Sequence, residues 1–289
     1  MSRTMISPSQ VSSFQDAVMS SFIIEVNSLK PGNVSRYSEG HDMTVADFVR
    51  SAEITSPILC DPALSVGKRV LESVRATISK VGCNTNLGML LLFAPLLRAA
   101  ELGVPALHSN LGMVLQELDD KDTVYIFEAI SHASPGGLGE SEKYDVNNRF
   151  EGGITLQLAM TEAKDRDLIA KQYVTDFVDV FSIGFRCIED FALRWNSVQW
   201  AAVACYMGFM AEFPDSHIRR KFGLVVAEQI KIKAVPITKA FQENDSPEDA
   251  TEMLMKFDEE LKEKGANPGT SADLTAASLL VFHLMKTEF

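Results

Sequence analysis

Residues 30–43 read KPGNVSRYSEGHDM, and the rest of the chain is organised around this stretch. Pro31 and Gly32 cannot continue a helix, because proline lacks a backbone N–H and glycine loses more conformational freedom on ordering than any other residue. The same fourteen residues carry two cations, two carboxylates and a histidine. We interpret the stretch as a loop that forms part of a functional site.

The helical pattern before this loop carries an acid into the protein interior. Glu25 follows an apolar row at helical spacing, made of Phe14, Val18 and Phe22. A carboxylate inside a protein is costly unless it is paired, hydrogen-bonded or bound to a metal. Glu25 is therefore predicted to be either a functional carboxylate or one half of an internal salt bridge with Lys30 or Arg36.

Composition limits the class of protein. The chain has 289 residues, 46% of them hydrophobic, which is ample for a buried core. A net charge of -12 and a pI near 4.9 argue against nucleic acid or an anionic membrane as the principal partner. Four cysteines form no C-x-x-C pair, which argues against a structural zinc site or a disulfide framework. The longest apolar runs, 87–97 and 198–210, are too short to cross a bilayer, so we expect a cytoplasmic protein.

Hydrophobic periodicity of 3.6 residues dominates the chain. It predicts helices at 8–28, 44–55, 63–80, 85–100, 105–117, 121–132, 154–163, 167–187, 189–211, 215–231, 248–264 and after 270. Pro57 and Pro62 are expected to separate the second and third helices, and Pro95 to kink the fourth. We predict one all-α domain over residues 1–289, a single globular array of many helices.

Two more loops and a helix start carry polar residues. Residues 83–89 read CNTNLGM, where Asn84 or Thr85 can cap an apolar helix, and residues 135–146 form a second glycine-rich loop, PGGLGESEKYDV. Residues 267–280 read NPGTSADLTAASLL, and helical spacing places Asp273 on the side of small and apolar residues. Asp273 is either an inward-facing functional acid or a residue that complements the helix N-terminus.

These motifs resemble, in the same order, those of the triphosphoribosyl-dephospho-CoA synthase family. The matching segments are 25–26 (EV), 30–34 (KPGNV), 40–43 (GHDM), 84–88 (NTNLG), 137–140 (GLGE) and 268–274 (PGTSADL). The resemblance implies an all-helical enzyme that displaces adenine from ATP. The triphosphoribosyl group then passes to a hydroxyl of dephospho-CoA, which gives the prosthetic-group precursor of citrate lyase and malonate decarboxylase.

The resemblance also implies roles for single residues. Positive charge develops on the sugar as its bond to the base breaks, which calls for carboxylates, and a triphosphate calls for Mg²⁺. The expected catalytic residues, which are also the expected Mg²⁺ ligands, are Glu25, Asp42 and Asp273. The expected substrate-binding residues are Lys30, Gly32, Asn33, Arg36, His41, Asn84, Asn86, Gly137, Glu140 and Ser271. Six of these residues are expected to line one pocket: Glu25, Lys30, Asp42, Asn84, Glu140 and Asp273.

The chain departs from the family pattern at two positions. Asn86 stands where the family usually has histidine, and Leu138 stands where it usually has arginine, so a neutral residue twice replaces a potential cation. Other readings therefore stay open. They are a related enzyme of tetrahydromethanopterin-type one-carbon cofactor synthesis, an N-glycosidic hydrolase, and a nucleotide-binding protein without turnover. A homo-oligomer is compatible with all of them.

Overall fold

The computed structural model describes residues 6–37, 44–133 and 155–286. Regular structure in these ranges is helical, and they contain fourteen α-helices and no β-strand. The prediction of an all-α fold is confirmed. No helix among the described residues is both long enough and apolar enough to span a bilayer.

Backbone contacts divide the chain into two compact units. Unit 1 comprises Met1–Ser20, Arg50–Phe177 and His283–Phe289, and unit 2 comprises Ser21–Val49 and Val178–Phe282. The expectation of a single domain over residues 1–289 stays a prediction.

Unit 1 is built around one apolar helix. Its helices are α3 (Val66–Val81), α4 (Leu87–Glu101), α5 (Leu107–Gln116), α6 (Asp120–Ala133), α7 (Leu156–Ala163) and α8 (Leu168–Val174), with parts of α1 (Pro8–Asn27) and α2 (Val45–Leu59). Helix α4 packs against α3, α5, α6 and α8. Thirteen of its fifteen residues are buried, as expected for a helix that is apolar on all sides.

Unit 2 has a central helix of the same kind. Its helices are α9 (Arg186–Trp195), α10 (Val198–Glu212), α11 (Ser216–Phe222), α12 (Leu224–Glu243) and α13 (Thr251–Glu263), with most of α14 (Gly269–Lys286). Helix α10 packs against α9 and α12. Its Val203 and Met207 join Phe241, Leu254 and Phe257 in one buried cluster. This core supports the loop at residues 29–35.

Two long predicted helices are interrupted at residues other than glycine that adopt left-handed backbone conformations. The helix expected at 167–187 breaks at Asp176 and Phe177, whose φ angles of 50° and 59° are left-handed, and a π-helical turn follows at Val180–Phe185. The helix expected at 189–211 breaks at Asn196, with φ 49°. Asparagine tolerates this conformation better than most residues, and Ser197 then caps α10 by accepting a hydrogen bond from the Trp200 N–H. Hydrophobic periodicity continues across both breaks and does not reveal them.

Two prolines lie inside helices that were expected to end before them. Pro57 was expected to lie beyond the second helix, but α2 continues to Leu59. The helix expected at 215–231 breaks at Gly223, with φ 86°, and its second part, α12, runs to Glu243 with Pro236 inside it. A proline removes one backbone hydrogen bond from a helix, and tertiary packing can outweigh that loss. Pro95 lies inside α4, as expected.

Candidate functional site

The loop that follows α1 is buried from residue 29 to residue 35. Leu29 to Ser35 are all buried, and the Asn33 N–H donates to the Lys30 carbonyl at 2.9 Å, which closes a tight turn. Gly32 has a φ of 83°, and a Cβ atom there would lie 2.9 Å from both Leu261 Cβ and Pro268 Cδ. Backbone conformation and lack of space therefore both require glycine at this position.

Two buried side chains hold the backbone of this loop. The Tyr206 hydroxyl donates to the Pro31 carbonyl at 2.7 Å, and Asp258 Oδ1 accepts from the Gly32 N–H at 2.8 Å. Lys262 Nζ lies 3.1 Å from the same carboxylate oxygen. The loop is thus fixed by polar contacts that water does not reach, because Tyr206 and Asp258 are 0% and 4% exposed.

Sequence reasoning did not identify Asp258 or Tyr206 as residues of the site. A signal for Asp258 was present, because it lies four residues after Leu254 and three before Leu261, on the apolar stripe of α13. An acid on a buried stripe needs a partner, and that partner is the loop backbone. Tyr206 gave no such signal, since an aromatic residue inside an apolar helix is typical of an ordinary core.

Glu25 and Lys30 form a buried ion pair, and each is 1% exposed. Lys30 Nζ donates to Glu25 Oε1 and, at 2.9 Å, to Asn33 Oδ1. The salt-bridge alternative for Glu25 is therefore present, with Lys30 as the partner. Arg36 is exposed instead, and its guanidinium lies 5.0 Å from the centre of the Tyr37 ring.

Burial and pairing act in opposite directions on this ion pair. Burial raises the pKa of Glu25, and the charge and hydrogen bond of Lys30 partly offset that rise. Burial lowers the pKa of Lys30, against the charge of Glu25. The carboxylate of Asp273 also raises the pKa of Lys30, whereas Lys262 lowers it. The negative charge of Asp273 therefore acts on Lys30 in the same direction as that of Glu25.

One oxygen of this ion pair is unused. Glu25 Oε2 is buried and has no hydrogen-bond partner within the described ranges. Buried carboxylate oxygens are normally satisfied, so an exception calls for an explanation. The oxygen provides a place where a donor from a ligand, a water molecule or a cation can bind.

Asn33 connects the first and last polar motifs of the chain. Its Nδ2 donates to Asn267 Oδ1 at 2.7 Å, while its Oδ1 accepts from Lys30. Asn267 immediately precedes the PGTSADL motif that carries Asp273. This hydrogen bond joins the loop at residues 30–34 to the segment that precedes residues 268–274.

Ser271 has a structural partner. Its N–H and its hydroxyl both donate to Asp215 Oδ2, at 2.7 and 2.8 Å. The other oxygen of Asp215 accepts from the N–H groups of His217 and Ile218. Burial raises the pKa of Asp215, and these hydrogen bonds oppose that rise. Asp215 thereby fixes the starts of α11 and α14 together, and a substrate-binding role for Ser271 stays a prediction.

Two other predicted residues lie in unit 1, at the start of α4. The N-cap position of α4 is Asn86, one or two residues after the predicted Asn84 or Thr85, and its side chain makes no capping hydrogen bond. Asn84 Oδ1 nevertheless accepts from the first helical N–H, that of Leu87, at 3.1 Å. Asn86 is 3% exposed, and its Nδ2 has no acceptor in the part of the chain that the structure describes. Next to it, the Thr85 and Ser51 hydroxyls are 2.6 Å apart.

Comparison with known proteins identifies the family. The family described as CitG, ATP:dephospho-CoA triphosphoribosyl transferase, matches residues 12–288. The chain belongs to this family. Its members transfer a triphosphoribosyl group, so the chain is a transferase of the CitG family, and the resemblance seen in its motifs is confirmed.

Among solved structures, a crystal structure from Archaeoglobus fulgidus is similar to this CitG-family chain. That protein is provisionally named a triphosphoribosyl-dephospho-CoA synthase. The two share 24% sequence identity with a TM-score of 0.65, over 82% of this chain and 99% of the other. This likeness supports the fold. No curated protein sequence matches the chain.

Four predicted site residues of this CitG-family chain lie outside the described ranges: His41, Asp42, Gly137 and Glu140. Of the six residues expected in one pocket, Glu25 and Lys30 form an ion pair. The negative charge of Asp273 raises the pKa of Lys30. Within the described ranges, no three His, Cys, Asp or Glu side chains form a cluster that could hold a metal. The three-carboxylate magnesium site, which includes Asp42, stays a prediction.

Proposed function

We propose that the chain displaces adenine from ATP and transfers the triphosphoribosyl group to a hydroxyl of dephospho-CoA or a related acceptor. The supporting observation is the buried oxygen Glu25 Oε2, which lacks a hydrogen-bond partner among the described residues, inside a chain that belongs to the CitG family. A buried carboxylate with a free oxygen suits a reaction in which positive charge develops on a sugar.

Glu25 and Asp273 are the proposed catalytic carboxylates. Cleavage of the bond between ribose and adenine leaves the sugar carbon electron-poor, and a nearby negative charge stabilises it. Loss of the hydroxyl proton from the acceptor requires a base, and either carboxylate has the right chemistry. We propose that one of the two carboxylates stabilises the sugar and the other takes the proton. Both charges act on the same Lys30.

Lys30 is the proposed counter-ion that keeps Glu25 ionised. Burial alone favours the neutral acid, whereas the ammonium group of Lys30, which is 1% exposed, favours the carboxylate beside it. Asn33 orients that ammonium group from the other side. The family resemblance implies that Lys30 binds substrate, and a phosphate oxygen of ATP is the group that suits its charge. We propose that such a contact adds to the pairing with Glu25.

The residues of the site fit Mg²⁺. Mg²⁺ prefers oxygen ligands and is often held by one or two carboxylates together with phosphate oxygens and water. Glu25 Oε2 offers one carboxylate oxygen without another partner in the described part, and the charge of Asp273 acts on the same site. Glu25 and Asp273, with Asp42, would hold the ion. When bound, Mg²⁺ supplies positive charge that offsets the charge of the triphosphate.

Asn86 bears on which acceptor the chain uses. At residue 86 the chain has an amide where the family usually has histidine, and the buried Asn86 Nδ2 can donate one neutral hydrogen bond. We propose that Asn86 binds a ligand oxygen through this donor. A neutral donor forms a weaker hydrogen bond to an anion than a cation does. This substitution keeps a related pterin-cofactor acceptor as the second candidate.

Adenine release tests the proposal. The full chain is incubated with ATP and Mg²⁺, with and without dephospho-CoA, and adenine is followed by chromatography while the acceptor is followed by mass spectrometry. Release that requires dephospho-CoA, with a triphosphoribosyl mass added to it, is the expected result. Release without any acceptor indicates a hydrolase, and binding without release indicates a nucleotide-binding protein. If only a pterin-type acceptor supports release, the acceptor in the proposal is wrong.

A further inference from the structure

Helix α12 carries an apolar face on its outer side. Its buried residues, which contact the core of unit 2, are Ala227, Ile230, Ala234, Thr238 and Phe241. On the opposite side Val225, Ile232 and Val235 are 71%, 66% and 47% exposed. Contiguous apolar side chains on a surface often mark a site of protein contact, whereas isolated ones do not.

The charges that border this face are arranged symmetrically. Glu228, Ile232, Val235 and Lys239 follow one another at spacings of four, three and four residues, which places them in one row along the helix. Read from either end, the row is charge, apolar, apolar, charge, with an acid at one end and a base at the other. We name these four residues the α12 row.

We propose that the α12 row is a dimer contact, in which it packs antiparallel against the α12 row of a second copy of this chain. A two-fold axis between Ile232 and Val235 places Glu228 of one copy opposite Lys239 of the other, and the reverse. It also places Ile232 opposite Val235 twice. Such a contact is self-complementary, as two-fold symmetry requires.

The same charges argue against other arrangements. In a parallel pairing each Glu228 would face the other Glu228 and each Lys239 the other Lys239, and like charges in a contact are unfavourable. Among the residues that the structure describes, the ion-pair partners of these two charges lie on α12 itself and at long distances. Lys231 Nζ lies 3.9 Å from Glu228, and Lys239 Nζ lies 3.9 Å from Glu243. Both charges are solvent-exposed and available to a second copy.

The size of the face indicates a weak dimer. Helix α12 has 20 residues and is therefore about 30 Å long. One helix face of this length buries less than the roughly 1,200 Å² of total surface found in stable complexes. We expect dissociation constants in the micromolar range, so the measurement must extend to high protein concentration.

Sedimentation equilibrium of the full chain tests the contact. The wild type is expected to shift from monomer to dimer as its concentration rises to about 200 µM. Ile232→Asp buries an acid in the contact from each copy and should weaken the dimer at least about tenfold. Ala240→Asp is the matched control, because it adds the same charge to α12 outside the row. Circular dichroism checks that both variants fold.

A charge swap separates contact between copies from helix stability. Glu228→Lys and Lys239→Glu should each weaken the dimer about threefold to tenfold, because each places like charges opposite one another. The double variant restores both pairs and should dimerise within about twofold of wild type. Within one helix the double variant is the worst case, since the lysine introduced at position 228 would repel Lys231 and the glutamate introduced at position 239 would repel Glu243. A wild-type chain that stays monomeric, an Ile232→Asp dimer as strong as wild type, or a double variant that remains weak would each overturn the proposal.

Discussion

In the described part of each unit, one glutamate is buried in an ion pair, and the two pairs differ in how many carboxylate oxygens are used. In unit 1, Glu101 accepts from Arg69 at 2.5 Å through Oε1 and from Arg98 at 2.6 Å through Oε2. In unit 2, Glu25 accepts from Lys30 through Oε1, while Oε2 has no partner within the described ranges. A saturated buried carboxylate is typical of a structural role, and an unsaturated one is where a ligand can bind.

The difference follows from the chemistry of the partners. Arginine presents several N–H donors in a planar fork, and two arginines together cover both oxygens of a carboxylate. Lysine is a compact charge, and Lys30 divides its donors between Glu25 and Asn33. The carboxylate of Glu25 is thereby held in place through Oε1, while Oε2 stays without a hydrogen-bond partner within the described ranges.

The largest effect is expected when the unsaturated pair is removed as a whole. Glu25→Gln with Lys30→Met takes away both charges, so no unpaired ion is left inside. We expect adenine release to fall by about 10²–10³ or more, while the urea midpoint changes little. If this double variant turns over at the wild-type rate, Glu25 is structural and the contrast between the two glutamates disappears.

The pair in unit 1, in which both carboxylate oxygens of Glu101 are used, should give the opposite result. Glu101→Gln leaves Arg69 buried without its charged partner, and breaking a buried pair in this way costs about 3–5 kcal/mol. The free energy of unfolding, measured in urea, is expected to fall by that amount. Adenine release per folded molecule should stay at the wild-type value, and a specific loss of turnover would contradict a structural role for Glu101.

A smaller effect is expected at the support of the loop. Asp258→Ala leaves the Gly32 N–H without its buried acceptor, at a cost of about 1–3 kcal/mol, and loosens the loop that follows Glu25. Turnover should fall together with stability. Asp258→Asn is the matched control, because its amide oxygen can still accept this hydrogen bond, and it should recover most of both losses. Equal losses in the two variants would show that the charge near Lys262 matters more than the hydrogen bond.

The smallest effect is expected at the exposed cation of the same segment. Arg36→Gln should change stability by less than about 0.5 kcal/mol, because the side chain is on the surface. If Arg36 attracts the triphosphate, the variant should weaken ATP binding about twofold to fivefold at low salt and less at high salt. Calorimetric titrations at two ionic strengths measure this. An equal loss at both would exclude screened attraction as the role of Arg36.

Local signals in the sequence predicted much of this structure. Helical periodicity located most helices, and the polar residues at 84–86 indicated the start of α4 to within three residues. An acid on the apolar face of α1 pointed to Glu25, and Lys30 was named as one of its two candidate partners. These inferences succeeded because the interactions span only a few residues, so helix geometry alone fixes them.

Interactions between distant segments were not predictable in the same way. Periodicity continues through Asn196 and through Asp176, where the backbone turns left-handed. The hydroxyl of Tyr206 reaches the Pro31 carbonyl across 175 residues of sequence, and no local pattern announces it. The saturation of a carboxylate is likewise a count of partners in space, and only the three-dimensional structure supplies that count.

The link between Asn33 and Asn267 also has a consequence for how the chain folds. Its partners are 234 residues apart, and the Gly32 and Asp258 pair is separated by 226. During synthesis the polar groups of the loop after α1 can hydrogen-bond only to water until residues 258–267 have been made. Loop closure over this length is slow to nucleate, since its entropy cost comes before any contact forms. The hydrogen bonds of Gly32 and Asn33 therefore form only after residues 258–267 exist, and chains released before residue 267 cannot complete them.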